Sequence, residues 1–185
     1  MLTTERLLLR NYTLADAPAM HRLIGAREVA QNTLRIPHPY PFEEAERWIA
    51  SHDALRANGE HVFAVVIRAT EDLAGTVGLH VKADHNHAEL GYWIGVPYWG
   101  LGYATEAAGA VVRFGFESLS LNRIFACHFV RNPASGRVLR KLGMQHEGTM
   151  RQHVRKWDEY VDLEYYAILH QDYIRRAETA AGDGR

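Results

Sequence analysis

Cysteine is nearly missing from this chain: Cys127 is the only one in 185 residues, so no disulfide can form within it. Cys127 lies inside the apolar run Ile124 to Val130, which favours a buried, unreactive thiol over a nucleophile. A lone cysteine also fits a reducing, cytoplasmic setting. An excess of either charge is missing too. The 21 Lys and Arg against 22 Asp and Glu leave a formal net charge of −1, which gives no footprint for nonspecific nucleic-acid binding. No apolar run is long enough for a membrane span, and "MLTTERLLLRNY" lacks the order of a signal peptide, because Glu5, Arg6 and Arg10 bracket only three leucines. A soluble cytoplasmic protein with no membrane or nucleic-acid partner is expected. Proline is scarce, but Pro37, Pro39 and Pro41 alternate, which forbids a regular helix there and favours an extended loop. Metal clusters are not indicated among the eleven histidines: "HNH", His85 to His87, has no third ligand and reads as a solvated loop, and His128 reads as a strand residue.

What is present is apolar material enough for a core, 47% of residues, at a length suited to one domain. We expect a single domain over 1–174 and a frayed polar tail over 175–185. Arg6 to Asn11 reads as a strand, and "TLADAPAMHRLIGA" as a helix capped by Thr13 or Asp16. "EEAERWIASHDALRANG" reads as one helix ended by Asn58-Gly59. "HVFAVVIRA" and "LAGTVGLHVK" form a hairpin, followed by the strand "AELGYWIGV". A helix runs from about Gly102 to Leu119, with Ala104, Ala107, Ala108, Val111, Val112, Gly115 and Phe116 in its apolar stripe. "RIFACHFV" is a strand, and "NPASGRVLRKLG" a short helix with Asn132 as N-cap and Gly143 past its end. "MQHEGTMRQHVRKW" and "EYVDLEYYAIL" read as a closing hairpin around Asp158. This order predicts an α/β fold: a mixed, twisted sheet of about seven strands with helices on both faces.

The segment "PYWGLGYATEA" places Gly100 and Gly102 immediately before a helix. A turn at a helix start offers free N–H groups and the positive end of the dipole, and glycines let backbone approach a ligand. Read alone, it is equally a tight strand-to-helix turn. A P-loop is excluded because no lysine follows Gly102. A dinucleotide fingerprint is excluded because Thr105 stands where a third small residue is needed, and the next strand ends in Arg131-Asn132 instead of an acid.

"ELGYWIGVPYWGLGYATEA" followed by "RIFACHFVRNPASGRVLRKLGM" resembles the GNAT N-acetyltransferase superfamily, and within it the branch of Rim-type ribosomal-protein N-acetyltransferases. The likeness extends to the N-terminal "TERLLLRNYTLADAPAMHRLI", to "PHPYPFEEAERWI" and to the closing hairpin. The superfamily signature Gln/Arg-x-x-Gly-x-Gly/Ala falls on Trp99-Gly100-Leu101-Gly102-Tyr103-Ala104. The resemblance implies that backbone amides from this loop into Thr105 hold the pyrophosphate of acetyl-coenzyme A (acetyl-CoA). Trp99, in place of the usual Gln/Arg, costs one charged contact. It further implies a bulge that splays "AELGYWIG" from "RIFACHFV", with the pantetheine arm bonding to backbone near Ile94. Asn132 would touch the pantetheine as well as cap its helix, and Arg137 would reach the adenosine or a phosphate.

Many members carry a tyrosine on the short helix to protonate the leaving thiolate. Leu139 holds that place here, and Ser135 takes the role in the Rim-like pattern, against the plain reading of a first-turn serine. Glu89 is the strand carboxylate placed like a general base, with Glu147 or a water relay as alternatives. An oxyanion would meet backbone N–H near Ile94. His38, Tyr40, Trp93 and Trp157 are candidate walls of an acceptor pocket. The acceptor is a primary amine, either a protein N-terminus or a small molecule such as a polyamine, amino acid or antibiotic. A free α-amine, pKa ~7.7–8, needs less help from a base than a lysine amine at ~10.4. A non-catalytic acyl-CoA-binding module is the rival class, and no metal is expected. Dimers are common among the families this chain resembles, and the sequence itself is silent on assembly.

Overall fold

The alternating apolar residues of the N-terminal half form strands because each buries one row of side chains against a helix layer. The computed structural model describes residues 1–182, with the side chains of 53 and 180–182 outside the description. Its sheet has eight strands in the order β1-β2-β3-β4-β5-β6-β8-β7. These are β1 (Leu2–Thr3), β2 (Leu7–Arg10), β3 (Glu60–Ile67), β4 (Leu73–Lys82), β5 (His87–Ile94), β6 (Arg123–Phe129), β7 (Gln145–Lys156) and β8 (Glu159–Leu169). All neighbours are antiparallel except β5 and β6, which the helix α5 (Tyr103–Glu117) joins as a crossover. The strand beyond the expected seven is β1, a two-residue pairing with β2 that is too short to show alternation.

Helices cover both faces, as the element order predicts. On one face α1 (Ala17–Ile24) and α3 (Phe42–Ala50) enclose Met20, Leu23, Ala45, Ile49, Val66 and Trp93. Between them lies the short α2 (Arg27–Ala30). On the other face α5 and α6 (Pro133–Lys141) lie over Leu79, Leu90, Ile94, Ile124 and Ile168. The helix expected over 43–59 is divided, with α4 (His52–Ala57) following α3. At the division the Ser51 hydroxyl bonds back to the Trp48 carbonyl at 2.7 Å, a local competitor for helix continuation. Residues 175–182 of the expected tail are helical, and residues 183–185 of it lie outside the described residues. The helical part extends α7 (His170–Gly182), which is anchored where Tyr173 stacks on Phe116 and bonds Glu117 at 2.6 Å.

Leu79 is fully buried between the central strands and α5. Leu79→Ala should lower the free energy of unfolding by about 2–5 kcal/mol, read as a shift of the urea midpoint at constant slope. A loss under about 1 kcal/mol would mean that this core is not close-packed.

Candidate functional site

The parallel ladder between β5 and β6 is short. It pairs His87, Ala88 and Glu89 with Arg123, Ile124 and Phe125, and goes no further. Both strands continue on their outer sides: β5 stays on β4 out to Ile94↔Gly75, and β6 stays on β8 out to Phe129↔Leu163. The strands therefore part beyond Glu89. The β4–β5 register is continuous through this stretch, so the splay needs no bulge in β5. That corrects the expected cause, because the recorded register shifts lie in β3–β4 and β7–β8.

Hydrogen-bond alternation sets what faces the opening. Gly95 N–H donates to Ala74 O at 2.8 Å, which makes Ile94↔Gly75 a non-hydrogen-bonded pair. The N–H and C=O of Ile94, and by alternation those of Tyr92, point away from β4 and toward the splay. There they meet no strand partner. Buried main-chain groups without partners are costly, so this edge is suited to an extended ligand carrying amides of its own.

Trp99 closes one end of the edge. Its indole N–H donates to the Ile94 carbonyl at 2.6 Å while the ring stays 46% exposed. Trp99 is thus first a brace between the glycine loop and β5, and of Ile94's two groups the N–H remains available. Past it, Gly100 and Gly102 have φ of +76° and +83°, which favours glycine at both positions, and Gly102 is the N-cap of α5. A Cβ at Gly100 would meet nothing within 4 Å. Glu106 N–H bonds Gly102 O at 3.1 Å, while the N–H groups of Tyr103, Ala104 and Thr105 precede any intrahelical acceptor and converge with the dipole on the loop.

One set of residues that sequence reasoning missed holds this loop. Glu106 accepts from Thr4 Oγ1 at 2.6 Å, from Arg6 N at 2.9 Å and from Arg6 Nε at 2.7 Å. The same guanidinium donates to the Leu101 carbonyl at 2.9 Å and lies 4.8 Å from the centre of the Tyr103 ring. Burial opposes ionisation of Glu106, but the bonds from Thr4 and Arg6 outweigh it and hold the carboxyl below its ordinary value. In the sequence Glu106 reads only as a helix first-turn acid, and a partner 100 residues away carries no local signal.

On the far side of the opening, Asn132 caps α6 by accepting from Ser135 N at 3.3 Å through Oδ1. Among the described residues its Nδ2 makes no hydrogen bond, so capping and a ligand contact are compatible. Ser135 Oγ lies 2.7 Å from the Tyr92 hydroxyl, a bridge from α6 to β5. Leu139 is fully buried beneath the helix, and Arg137 is exposed with no partner among the described residues.

Residues 6–145 match the acetyltransferase (GNAT) domain family. The chain is 35% identical over 171 residues to the uncharacterized N-acetyltransferase YoaA of Bacillus subtilis (strain 168), covering 91% of this chain and 96% of that protein. The chain belongs to the GNAT acetyltransferase family. A GNAT-family acetyltransferase from Bacillus anthracis superposes with a TM-score of 0.81 at 28% identity, over 92% of this chain and 98% of that one. The ribosomal-protein α-N-acetyltransferase RimL, solved in complex with coenzyme A (CoA), shares the fold with a TM-score of 0.82 at 20% identity, over 90% and 95% of the two chains.

In this GNAT chain Glu89 emerges at the last β5–β6 pair, on the α1/α3 face. It is half-buried, with the Cys127 thiol 4.0 Å from Oε1. Burial, and then the Glu89 charge, push the Cys127 thiol up to about 11, so it is a neutral neighbour and not a nucleophile. Cys127 is half-buried, less enclosed than its apolar run suggested. Tyr165, on β8 opposite Cys127, completes this group, and sequence reasoning had not marked it. Gly91 is exposed on the same face, and a Cβ there would meet nothing within 4 Å, which leaves an open floor beside Glu89.

The other acceptor-side candidates disperse. Trp93 is 9% exposed and packs with the α1/α3 core, so it has little surface for a wall. Tyr40 is half-buried against that core, and its carbonyl bonds His21 Nε2 at 3.0 Å. His38 lies 6.5 Å from Trp157 between ring centres, and those two do form one surface. Glu147 is held in an exposed ion pair with Arg123, near the paired end of the β5–β6 ladder. Bonding to that guanidinium lowers its pKa, and its place takes it out of the site. Among the described residues no group of three or more metal-ligating side chains could hold a metal ion, and no helix is long and apolar enough to cross a membrane.

Glu106→Gln keeps the shape and removes the charge that orders Arg6 and the loop. It should weaken CoA binding about 3–10-fold by calorimetry with a small change in melting temperature. Because the Glu106 pKa is lowered, the clamp is fully present above the ordinary carboxylate range and lost as pH falls through the lowered value. The affinity contributed by Glu106 should therefore be flat over about pH 6–8. Unchanged affinity in Glu106→Gln would remove the clamp from the binding account.

Proposed function

We propose that the chain transfers the acetyl group of acetyl-CoA to a primary amine by direct attack, with a protein N-terminal α-amine as the acceptor. One observation carries the cofactor assignment: the unpartnered main-chain edge at Tyr92 and Ile94 runs into a glycine loop at a helix N-terminus. An extended arm bearing amides and ending in a pyrophosphate suits that edge and that loop. Tyr92 and Ile94 backbone would take the pantetheine amides, and the N–H groups from Gly100 to Thr105 the pyrophosphate. Asn132 Nδ2 and Arg137 would take the outer contacts.

The two chemical groups sit on opposite faces of the sheet, with the splay between them. Glu89 faces the acceptor side and would accept the amine proton, directly or through a water. Ser135, on the α6 side, would donate its proton to the departing sulfur and regain one from water, while Glu89 releases to water the proton taken from the amine. The amine nitrogen bonds to the carbonyl carbon, the carbon–sulfur bond breaks, and Cys127 takes no covalent part.

Support for the α-amine is chemical. Glu89 is one half-buried carboxylate in place of the acidic cluster that a polyamine would need, and an α-amine with pKa ~7.7–8 asks little of it. A small-amine acceptor is the second reading, favoured by the roof over this side. Lys156 Nζ bonds the carbonyls of Leu34 and Ile36 at 3.3 and 2.6 Å, and Arg131 bonds Gln31 O at 2.8 Å. These contacts hold the segment before the prolines against the end of β7 and the turn between β6 and α6.

Release of CoA should be measured across N-terminal peptides, polyamines and amino acids. Turnover with peptides, rising with pH to a plateau near about pH 8, is the expected result. Turnover with small amines alone would select the second reading, and tight binding with no release on any acceptor would overturn the enzyme. Gly102→Glu, which sets a carboxylate among the phosphate-facing amides at a positive φ, should abolish CoA binding while the far-UV spectrum is retained. Retained affinity would refute the loop assignment.

A further inference from the structure

Tyr92 is the polar side chain that the chemistry above leaves unused. It stands on β5 beyond the last β5–β6 pair, its ring packs against the α5/α6 core, and its hydroxyl crosses to α6. That hydroxyl lies 2.7 Å from Ser135 Oγ and 3.3 Å from the Ser135 carbonyl. Among the described residues Ser135 Oγ has no other hydrogen-bond partner.

Acidity favours one direction for the 2.7 Å bond. A phenol is a stronger donor and a weaker acceptor than an aliphatic hydroxyl. In the reverse arrangement the serine would donate to the poorer acceptor, and the phenol would be left with the long 3.3 Å contact. On acidity Tyr92 is the better donor to Ser135 Oγ, and either hydroxyl can fill that role in this geometry. Burial pushes the phenol up to about 12, so it stays protonated across the working range. With Tyr92 donating, the serine's own proton is turned away from it.

We infer that Tyr92 is a positioning residue: by donating to Ser135 Oγ across the splay, it aims the Ser135 hydroxyl at the leaving sulfur of the thioester. This rests on the assignment of Ser135 as the group facing that sulfur. No proton leaves Tyr92. Its part is to fix the serine rotor and to polarise the hydroxyl, so that the second bond in the chain is the stronger for the first.

The test is a double-mutant cycle of Tyr92→Phe and Ser135→Ala, assayed on the acceptor that the release measurement identifies. Tyr92→Phe should lower kcat about tenfold, with the KM for acetyl-CoA, the CoA affinity and the melting temperature little changed. The double variant should be no slower than Ser135→Ala. The loss in Tyr92→Phe should shrink with an acetyl thioester of a more acidic thiol, because that leaving group needs less help. Full turnover in Tyr92→Phe, multiplied losses in the double variant, or a loss independent of the leaving group would overturn the proposal. If Ser135→Ala itself turns over normally, the Ser135 assignment fails and Tyr92 falls with it. A slow Ser135→Ala beside a normal Tyr92→Phe refutes Tyr92 alone.

Discussion

Strands β5 and β6 are each held on the outer side, by β4 and by β8, and those outer ladders run on after the ladder between the two has ended at Glu89↔Phe125. Twist is cumulative in a sheet, and two strands anchored to diverging neighbours separate where their own pairing stops. The opening thus follows from how the whole sheet is paired and not from a defect in one strand. Everything assigned to the site stands around it. Main-chain groups of Tyr92 and Ile94 face into it, Glu89 marks its closed end, the glycine loop lies past its open end, and α6 borders it with Asn132 and Ser135.

Contacts distant in sequence keep the opening's edges in place. Trp99 ties the loop to the end of β5, and Arg6 with Thr4 ties the same loop and the first turn of α5 to the N-terminal strands through Glu106. Charge-assisted bonds of this kind are directional, and the Arg6 guanidinium takes up the Leu101 carbonyl of the loop. The acceptor side is organised otherwise. There Lys156, at the end of β7, and Arg131, in the turn between β6 and α6, reach the carbonyls of Leu34, Ile36 and Gln31 in the segment before the prolines. The glycine loop and the segment before the prolines are therefore held by separate sets of contacts.

Local patterns were legible where one element carries its own signal. The α5 stripe, the Asn132 cap, the glycine pair and the strand containing Glu89 all stand where alternation, helical period and cap chemistry placed them. Features that depend on two distant segments were not legible. The Arg6–Glu106 clamp spans 100 residues, nothing near Tyr92 in sequence marks its partner Ser135 on α6, and Trp93 looked as available as Trp157. Glu147 was attractive only because nothing local reveals Arg123 beside it. The seven-strand count failed at β1 for the opposite reason, since two residues are too few for any period.

The central claim is that the edge of β5 at the splay binds CoA through its main chain. Amide hydrogen exchange of Tyr92 and Ile94, followed by NMR with and without CoA, tests this most directly. Protection of the Ile94 and Tyr92 amides on CoA binding, with amides of the β4–β5 pairing such as Gly91 unchanged, is the predicted result. Saturating CoA that leaves both exchange rates as they were would contradict the account.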